Sequence, residues 1–315
     1  MRSFERSCRP GTTSGQIVGV FAGLLSALSY GLMYVVVHTA AGRLPATQIT
    51  FARSLIALIA ATPGAYRQRQ LLISPPAWPV WLRSGANAVS IVCLAWNLQH
   101  TTIGFANILF NLAPVVVLVL GLRTGAIRSG ITPTVCMILV AVGSCLCWQG
   151  APSASNLYVW AVGLIGAIAA GIHYTMLEQQ SAGWSPSSLI WPLSLISLPL
   201  MIALKTGPWA PLSGGTLIPL AQVGGLCLVG QYLVIVSLRY AGLAIGTALV
   251  PSAVAFGVAA HVATAQGAHD EPILGSFVYL AGLMPLIALK AGGRELVPAD
   301  EPGIDVQVES SKTRN

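Results

Sequence analysis

Residues 27–58, ALSYGLMYVVVHTAAGRLPATQITFARSLIAL, contain the end of one long apolar run and the start of the next. Only a short break around Arg43 and Pro45 separates the two runs. Each run extends over roughly 20 residues, which at about 1.5 Å of rise per residue crosses a hydrocarbon core about 30 Å thick. The segment therefore predicts two transmembrane helices joined by a tight loop.

The same pattern recurs along the whole chain of 315 residues, of which 55% are hydrophobic and 8% are charged. Soluble proteins carry about a quarter charged residues, so this composition excludes a water-soluble enzyme. Hydropathy, with Gly, Pro and charge as breaks, predicts an all-α polytopic membrane protein. Its ten predicted spans are 16–38, 46–66, 80–100, 103–122, 131–148, 157–177, 187–205, 217–238, 243–265 and 273–290.

The distribution of basic residues predicts the orientation. If both termini are cytoplasmic, only Arg43 and Lys205 of the 16 basic residues lie outside, Arg53 lies within a span, and the rest, Arg83 included, lie inside. The tails 1–15 and 291–315 are then cytoplasmic, and the second has the composition of a disordered segment. The net charge of +7 follows from this bias. We therefore expect the lipid bilayer as a partner and no nucleic acid.

An internal repeat predicts the architecture. An offset of about 140 residues aligns Pro45 with Pro186 and Leu109 with Leu249, and it defines two units, 16–148 and 157–290. Because each unit has five predicted spans, the second enters the membrane from the opposite side. The prediction is ten transmembrane helices arranged as two inverted five-helix repeats, which can open a central site alternately to either side.

Residues 27–58 also carry a resemblance. Tyr30-Gly31, His38, Pro45 and Arg53 resemble the Trp-Gly pair, basic residue, proline and arginine of the EamA-like branch of the drug/metabolite transporter (DMT) superfamily, with Tyr30 and His38 in place of the common Trp and Lys. The stretches SLRYAGLAIGTALVPSAVAFG and ILGSFVYLAGL resemble its ninth and tenth helices. The resemblance implies a ten-helix carrier of the cell inner membrane that exports small metabolites or drugs. The family's Gly-Glu pairs are replaced here by TGAIRSG and TAQGAHDEP, so no role of those glutamates is carried over.

Arg53 is the one residue that the sequence places as a certain charge well inside a span. A buried Arg costs at least about 2.5 to 3.5 kcal/mol and needs a partner inside the bundle. Its planar fork suits a carboxylate or phosphate, or it bonds helix-end carbonyls and pins the second helix. The scarcity of other buried positive charge argues against nucleotide sugars and sugar phosphates.

Neutral polar and aromatic side chains in the spans are candidates for the rest of a substrate site. Tyr30 and Tyr34 share one face of the first span, and Asn107 and Asn111 share a face of the fourth. Buried amides and phenols need either another helix or a ligand as a partner, and both interpretations stay open. The predicted substrate-binding set is Tyr30, Tyr34, Arg53, Trp96, Asn97, Asn107, Asn111 and Gln231.

Intramembrane carboxylates are nearly missing, since Glu178 is the only acidic residue in or beside the core of a span, while Asp270 and Glu271 belong to an outer loop. A coupling proton would therefore need histidine, whose reference pKa is about 6.5. His173 and Glu178 are the candidates for proton coupling, although a polar residue near the interface is the ordinary alternative. Neither a catalytic motif, a phosphate-binding loop nor a metal-ligand spacing occurs, so no cofactor is expected.

These features predict a secondary active transporter that exports a small metabolite, such as an amino acid, an amino-acid-derived compound or a drug-like solute, by alternating access. An alternative is a receptor or scaffold on the same fold that transports nothing. An intramembrane enzyme would need a nucleophile and a base, for which only His173 with Glu178 comes close.

Overall fold

The computed structural model describes residues 13–40, 43–73, 77–101, 112–124, 157–181, 183–205 and 207–249, with isolated positions at 106, 109, 110, 135, 138, 139, 142, 252, 253, 256 and 257. All regular secondary structure within these ranges is helical. The helices are α1 (Thr13–Ala40), α2 (Ala46–Arg67), α3 (Arg69–Ile73), α4 (Trp78–His100), α5 (Ala113–Thr124), α6 (Leu157–Ser181), α7 (Pro186–Ala203) and α8 (Gly214–Leu249).

Five of these helices are long and apolar enough to cross a membrane, with mean hydropathies from 1.3 to 2.0. They are α1, α2, α6, α7 and the part of α8 up to Gly242, and they agree with five of the predicted spans. The predicted span 80–100 forms α4, whose 23 residues are long enough but more polar. The span 103–122 overlaps α5. The predicted spans 131–148, 243–265 and 273–290 lie wholly or mostly outside the described residues.

Helix boundaries follow the proline, serine and glycine signals in the sequence. Pro45 precedes α2 in an extended conformation, and its ring would clash inside a helix. Ser185 caps α7, because its side chain accepts a hydrogen bond from the backbone N–H of Ser188. The helical path of α8 is interrupted at Gly242, where φ is 78°, a value that favours glycine.

Helix α1 has one face for lipid and one for protein. Ile17, Phe21 and Leu25 are exposed at a spacing of four residues. The opposite face places Gly19 and Gly23 against α8, so closely that a Cβ on Gly19 would lie 2.5 Å from the backbone nitrogen of Ala241. Small residues allow such close helix contacts in membranes, and an exposed apolar stripe suits lipid.

The contacts fix the relative directions of α1 and α8. Gly19 lies near Ala241, whereas Ser26, two turns further along α1, donates a hydrogen bond of 2.8 Å to the carbonyl of Gly230. Residue numbers therefore rise along α1 as they fall along α8, and the two helices are antiparallel. Helices α4 and α6 also pack against each other, and Gly166 of α6 contacts Cys93 of α4.

Helix α2 carries a different polar contact at each end. Near its start, Gln48 donates to the carbonyl and accepts from the N–H of Ala210, both at 2.9 Å. Directly after its last residue, the side-chain oxygen of Gln68 accepts a hydrogen bond of 3.0 Å from the N–H of Ser185. The segment before α8 and the segment before α7 therefore lie at opposite ends of α2.

Candidate functional site

A cavity lies between the six long helices α1, α2, α4, α6, α7 and α8. Its described lining combines aromatic rings and aliphatic side chains with a few polar groups, and every one of the six helices contributes to it. The cavity is narrow in this structure, with about 40 Å³ open to the centres of water molecules. That is room for a few waters, so a substrate the size of a metabolite needs the helices to move apart.

Helix α1 contributes Tyr30, Met33 and Tyr34 to the lining. The rings of Tyr30 and Tyr34 are nearly parallel, at 17°, with centroids 6.4 Å apart, as their spacing of four residues predicts. Gly230 of α8 makes room for this pair, because a Cβ there would lie 3.1 Å from the Tyr30 ring. The sequence-predicted tyrosines therefore face the cavity together.

Arg53 lies on the buried face of α2 and lines the cavity, with 8% of its surface exposed. It makes no ion pair with any described residue, so no carboxylate in the described part of the chain neutralises it. The expected hydrogen bonds from Arg53 to helix-end carbonyls are also absent among the described contacts. Its placement is thus compatible with the substrate-binding interpretation from the sequence.

Arg83 is the residue that the sequence analysis missed. It was counted among the cations on the cytoplasmic side, yet it is only 1% exposed and lines the cavity. Its Nη2 donates to the carbonyl of Leu189 at 2.6 Å and to Oγ of Ser84 at 3.3 Å, while its Nε has no partner among the described residues. The expectation that Arg53 is the single buried cation is therefore wrong.

Helix α4 presents one continuous face to the cavity: Arg83, Asn87, Ile91 and Leu94, three to four residues apart. This periodicity was the signal that could have identified Arg83 and Asn87. A charge near a span end is ordinarily a topology signal, and the position of Arg83 near the start of the span 80–100 fits that pattern equally well.

Helices α6 and α8 complete the polar lining. His173, Tyr174 and Leu177 come from α6, and Gln231 comes from α8. His173 is 5% and Gln231 is 6% exposed. The Nδ1 of His173 and the Oε1 of Gln231 have no hydrogen-bond partner among the described residues. Buried polar atoms without partners are costly, and a ligand can satisfy them.

Other predicted site residues lie elsewhere. Trp96 stacks on His100 with ring centroids 4.0 Å apart and packs against the Leu109 and Val159 cluster, away from the described lining. Asn97 is buried, and its Oδ1 has no partner among the described residues, but it does not line the cavity either. Glu178 is partly buried and is not a lining residue, unlike His173 five positions earlier.

Asn107 and Asn111 lie outside the described residues. Tyr174 was not predicted, although it lies 140 positions after Tyr34 and both line the cavity. Within the described part of the chain, no group of three His, Cys, Asp or Glu side chains could hold a metal ion. The arrangement offers cationic and neutral hydrogen-bonding groups between apolar walls, which suits binding of a small amphipathic solute.

Comparison with known proteins finds a family match within the first half of the chain. Residues 17–149 match the EamA-like transporter family. The match confirms the resemblance drawn from Tyr30-Gly31, His38, Pro45 and Arg53. This EamA-like region supplies both arginines of the cavity, and with the apolar helices it indicates a multi-pass membrane transporter.

A solved protein crystal structure has a similar fold, with a TM-score of 0.64 and 14% sequence identity. The likeness covers 87% of this chain and 96% of that chain, and at this identity it concerns the fold alone. No curated protein matches this chain.

Proposed function

We propose that the protein is a secondary active transporter of the cell inner membrane, with both termini cytoplasmic, that exports a small metabolite. Two inverted five-helix repeats, 16–148 and 157–290, alternate in opening the central cavity. The observation that carries this proposal is the reciprocal packing of the two halves around that cavity.

Helix pairing supports the inverted repeat. In the predicted repeat α6 corresponds to α1, α7 to α2, and α8 to α4. Helix α1 packs on α8 while α6 packs on α4, and α2 packs on α8 while α7 packs on α4. Helix α2 packs on its own counterpart α7. Each contact thus has a partner contact with the halves exchanged, as a two-fold relation requires.

Individual residues follow the same exchange. A Cβ on Gly23 of α1 would clash with the side chain of Leu249, and a Cβ on Gly163 of α6 would lie 2.6 Å from Cβ of Leu109. Gly163 and Leu249 lie 140 positions after Gly23 and Leu109, respectively. The glycine belongs to one half and the leucine to the other in both contacts.

Two polar contacts, here called the Gln99 clamp and the Arg239 clamp, hold opposite ends of the bundle. Nε2 of Gln99 donates to the carbonyl of Leu44 at 2.7 Å. The guanidinium of Arg239, 140 positions later, donates to the carbonyls of Ser181 and Trp184 at 2.7 and 2.5 Å. Trp184 is 140 positions after Leu44.

The clamps lie at opposite ends because the Gln99 clamp is next to the start of α2, while the Arg239 clamp is next to Ser185 at the end of α2. Both are formed in this structure, and the cavity between them is narrow. Alternating access then consists of breaking one clamp while the other holds.

Reconstitution in liposomes tests the proposal. Purified protein is inserted with its orientation determined, and uptake of labelled amino acids, purines, vitamins and cationic drugs is followed with and without an imposed pH gradient. We expect saturable movement of one class and counterflow driven by unlabelled solute. Acceleration by the gradient would add proton coupling. Binding without movement would favour a receptor and contradict transport.

A further inference from the structure

Two guanidinium groups reach one membrane-embedded cavity. Arg53 comes from α2 and Arg83 from α4, and both are more than nine-tenths buried. Each buried cation in a membrane is costly, and intramembrane arginines ordinarily pair with an anion or with carbonyls. If the protein offers these two guanidinium groups no anion, an anionic ligand is the expected partner.

The protein supplies almost no anion for them. Between residues 6 and 269 the sequence contains a single acidic residue, Glu178. Glu178 is not among the residues that line the cavity, and neither arginine makes an ion pair with a described carboxylate. The cavity therefore has a surplus of positive charge in the described part of the chain.

The Arg83 guanidinium is held in place and still has donor capacity. Its Nη2 is fixed by the carbonyl of Leu189, itself a lining residue, and by Oγ of Ser84. Its Nε, although buried, has no acceptor among the described residues. A guanidinium with free donors in a fixed orientation suits bidentate binding of a carboxylate.

The remaining lining defines the body of the ligand. Three tyrosines and the aliphatic side chains of α4, α7 and α8 form apolar and aromatic walls. Gln231 contributes an Oε1 acceptor without a partner among the described residues. An ammonium group would find only neutral acceptors here and would be repelled by both arginines, whereas an anion with an apolar body fits both features.

We propose that Arg53 and Arg83 bind the carboxylate of a small amphipathic organic anion, which is the transported substrate. This inference rests on the proposed transport function for its physiological meaning, but binding is measurable without transport. The sequence predicts only one buried cation, Arg53, in the site. With Arg83 as a second buried cation, the site favours a negatively charged substrate.

Binding to the full-length protein in lipid nanodiscs tests the site with four probes of one shape: 3-phenylpropionate, 3-phenylpropylamine, 3-phenylpropanol and 3-phenylpropylphosphonate. We expect saturable binding of the carboxylate and at least about tenfold weaker binding of the amine and the alcohol. The proposal is overturned if the amine or alcohol binds as tightly, if the carboxylate does not bind, or if the phosphonate binds more tightly.

Variants connect the binding to the two arginines. Arg53→Gln and Arg83→Gln should each weaken carboxylate binding by about tenfold or more. Arg67→Gln, at the exposed end of α2, is the matched control and should bind as the wild type does. Arg83→Lys, which keeps the charge but not the fork, should bind at an intermediate level. If Arg83→Gln does not fold, Arg53→Gln decides, and unchanged binding in it refutes the inference.

Transport in liposomes separates this inference from the proposed function. Movement of a cation or neutral solute without movement of the carboxylate would support the proposed transport function and refute the anion site. Binding of the carboxylate that depends on both arginines, without movement of any solute, would support the anion site and refute the proposed transport function.

Discussion

Gly224 and Gly225 are adjacent in α8 but meet different surroundings. A Cβ on Gly224 would lie 3.1 Å from Cβ and 3.2 Å from Cγ1 of Ile56 in α2. Ile56 is β-branched and stiff at χ1, so it cannot turn away easily. A Cβ on Gly225 meets nothing within 4 Å. The two glycines therefore provide a matched pair for testing the α2–α8 contact.

The expected difference follows from two terms. Both Gly224→Ala and Gly225→Ala gain up to about 1 kcal/mol of helix propensity, and this gain cancels in the comparison. Only Gly224→Ala carries the cost of overpacking, about 1 to 3 kcal/mol. We therefore expect Gly224→Ala to be less stable than Gly225→Ala by about 1 to 3 kcal/mol.

The free energy of unfolding is measured by titrating each variant with dodecyl sulfate in mixed micelles and following the helical circular dichroism. Because Ile56 is one turn from Arg53 on α2, a shift of α2 against α8 also displaces Arg53 from the other lining residues, and carboxylate binding should fall in Gly224→Ala alone. Equal stabilities, or a less stable Gly225→Ala, would refute the close packing of α2 against α8 at Ile56 and Gly224.

Three further substitutions probe the cavity. Gln231→Leu removes an Oε1 without a partner among the described residues. We therefore expect the free energy of unfolding to stay the same or rise, while substrate binding becomes weaker. A clear loss of stability would contradict this. Gly230→Ala places a Cβ 3.1 Å from the Tyr30 ring and should weaken binding in the nanodisc assay, with Gly225→Ala as the control. His173→Gln should abolish acceleration of uptake by a pH gradient but keep counterflow, and acceleration that persists would exclude His173 as the proton carrier.

The sequence predicted the parts of the fold that depend on long apolar runs. Helices α1, α2, α6, α7 and α8 agree with predicted spans because hydrophobic length alone determines a membrane crossing. The break at Gly242 falls between the predicted spans 217–238 and 243–265, where a positive φ needs glycine.

The site was predicted less completely, since burial depends on which face of a helix meets its neighbours. Tyr30, Tyr34, Arg53, Gln231 and His173 all line the cavity. Trp96 and Asn97 have residue types that suit a binding site, but they do not lie on the face of α4 that continues from Arg83 through Asn87 and Ile91.

The repeat relates one further lining residue to a predicted one. Tyr174 is the counterpart of Tyr34 at a shift of 140 residues, so the symmetry of the sequence indicates it. Arg83 has Val223 as its counterpart, so symmetry could not reveal it. The burial of Arg83 depends on how α4 packs against its neighbours, and only the structure shows it.

Alternate opening of the two clamps is tested most directly by cross-linking. In a chain whose six cysteines are replaced, one variant carries Leu44→Cys with Gln99→Cys and the other carries Trp184→Cys with Arg239→Cys. A short thiol cross-linker joins each pair before uptake into liposomes is measured. The four single-cysteine variants, treated with the same reagent, serve as the control. We expect either cross-link alone to stop net uptake of the substrate. Net uptake that continues at the wild-type rate with one clamp locked would contradict alternating access of the two repeats.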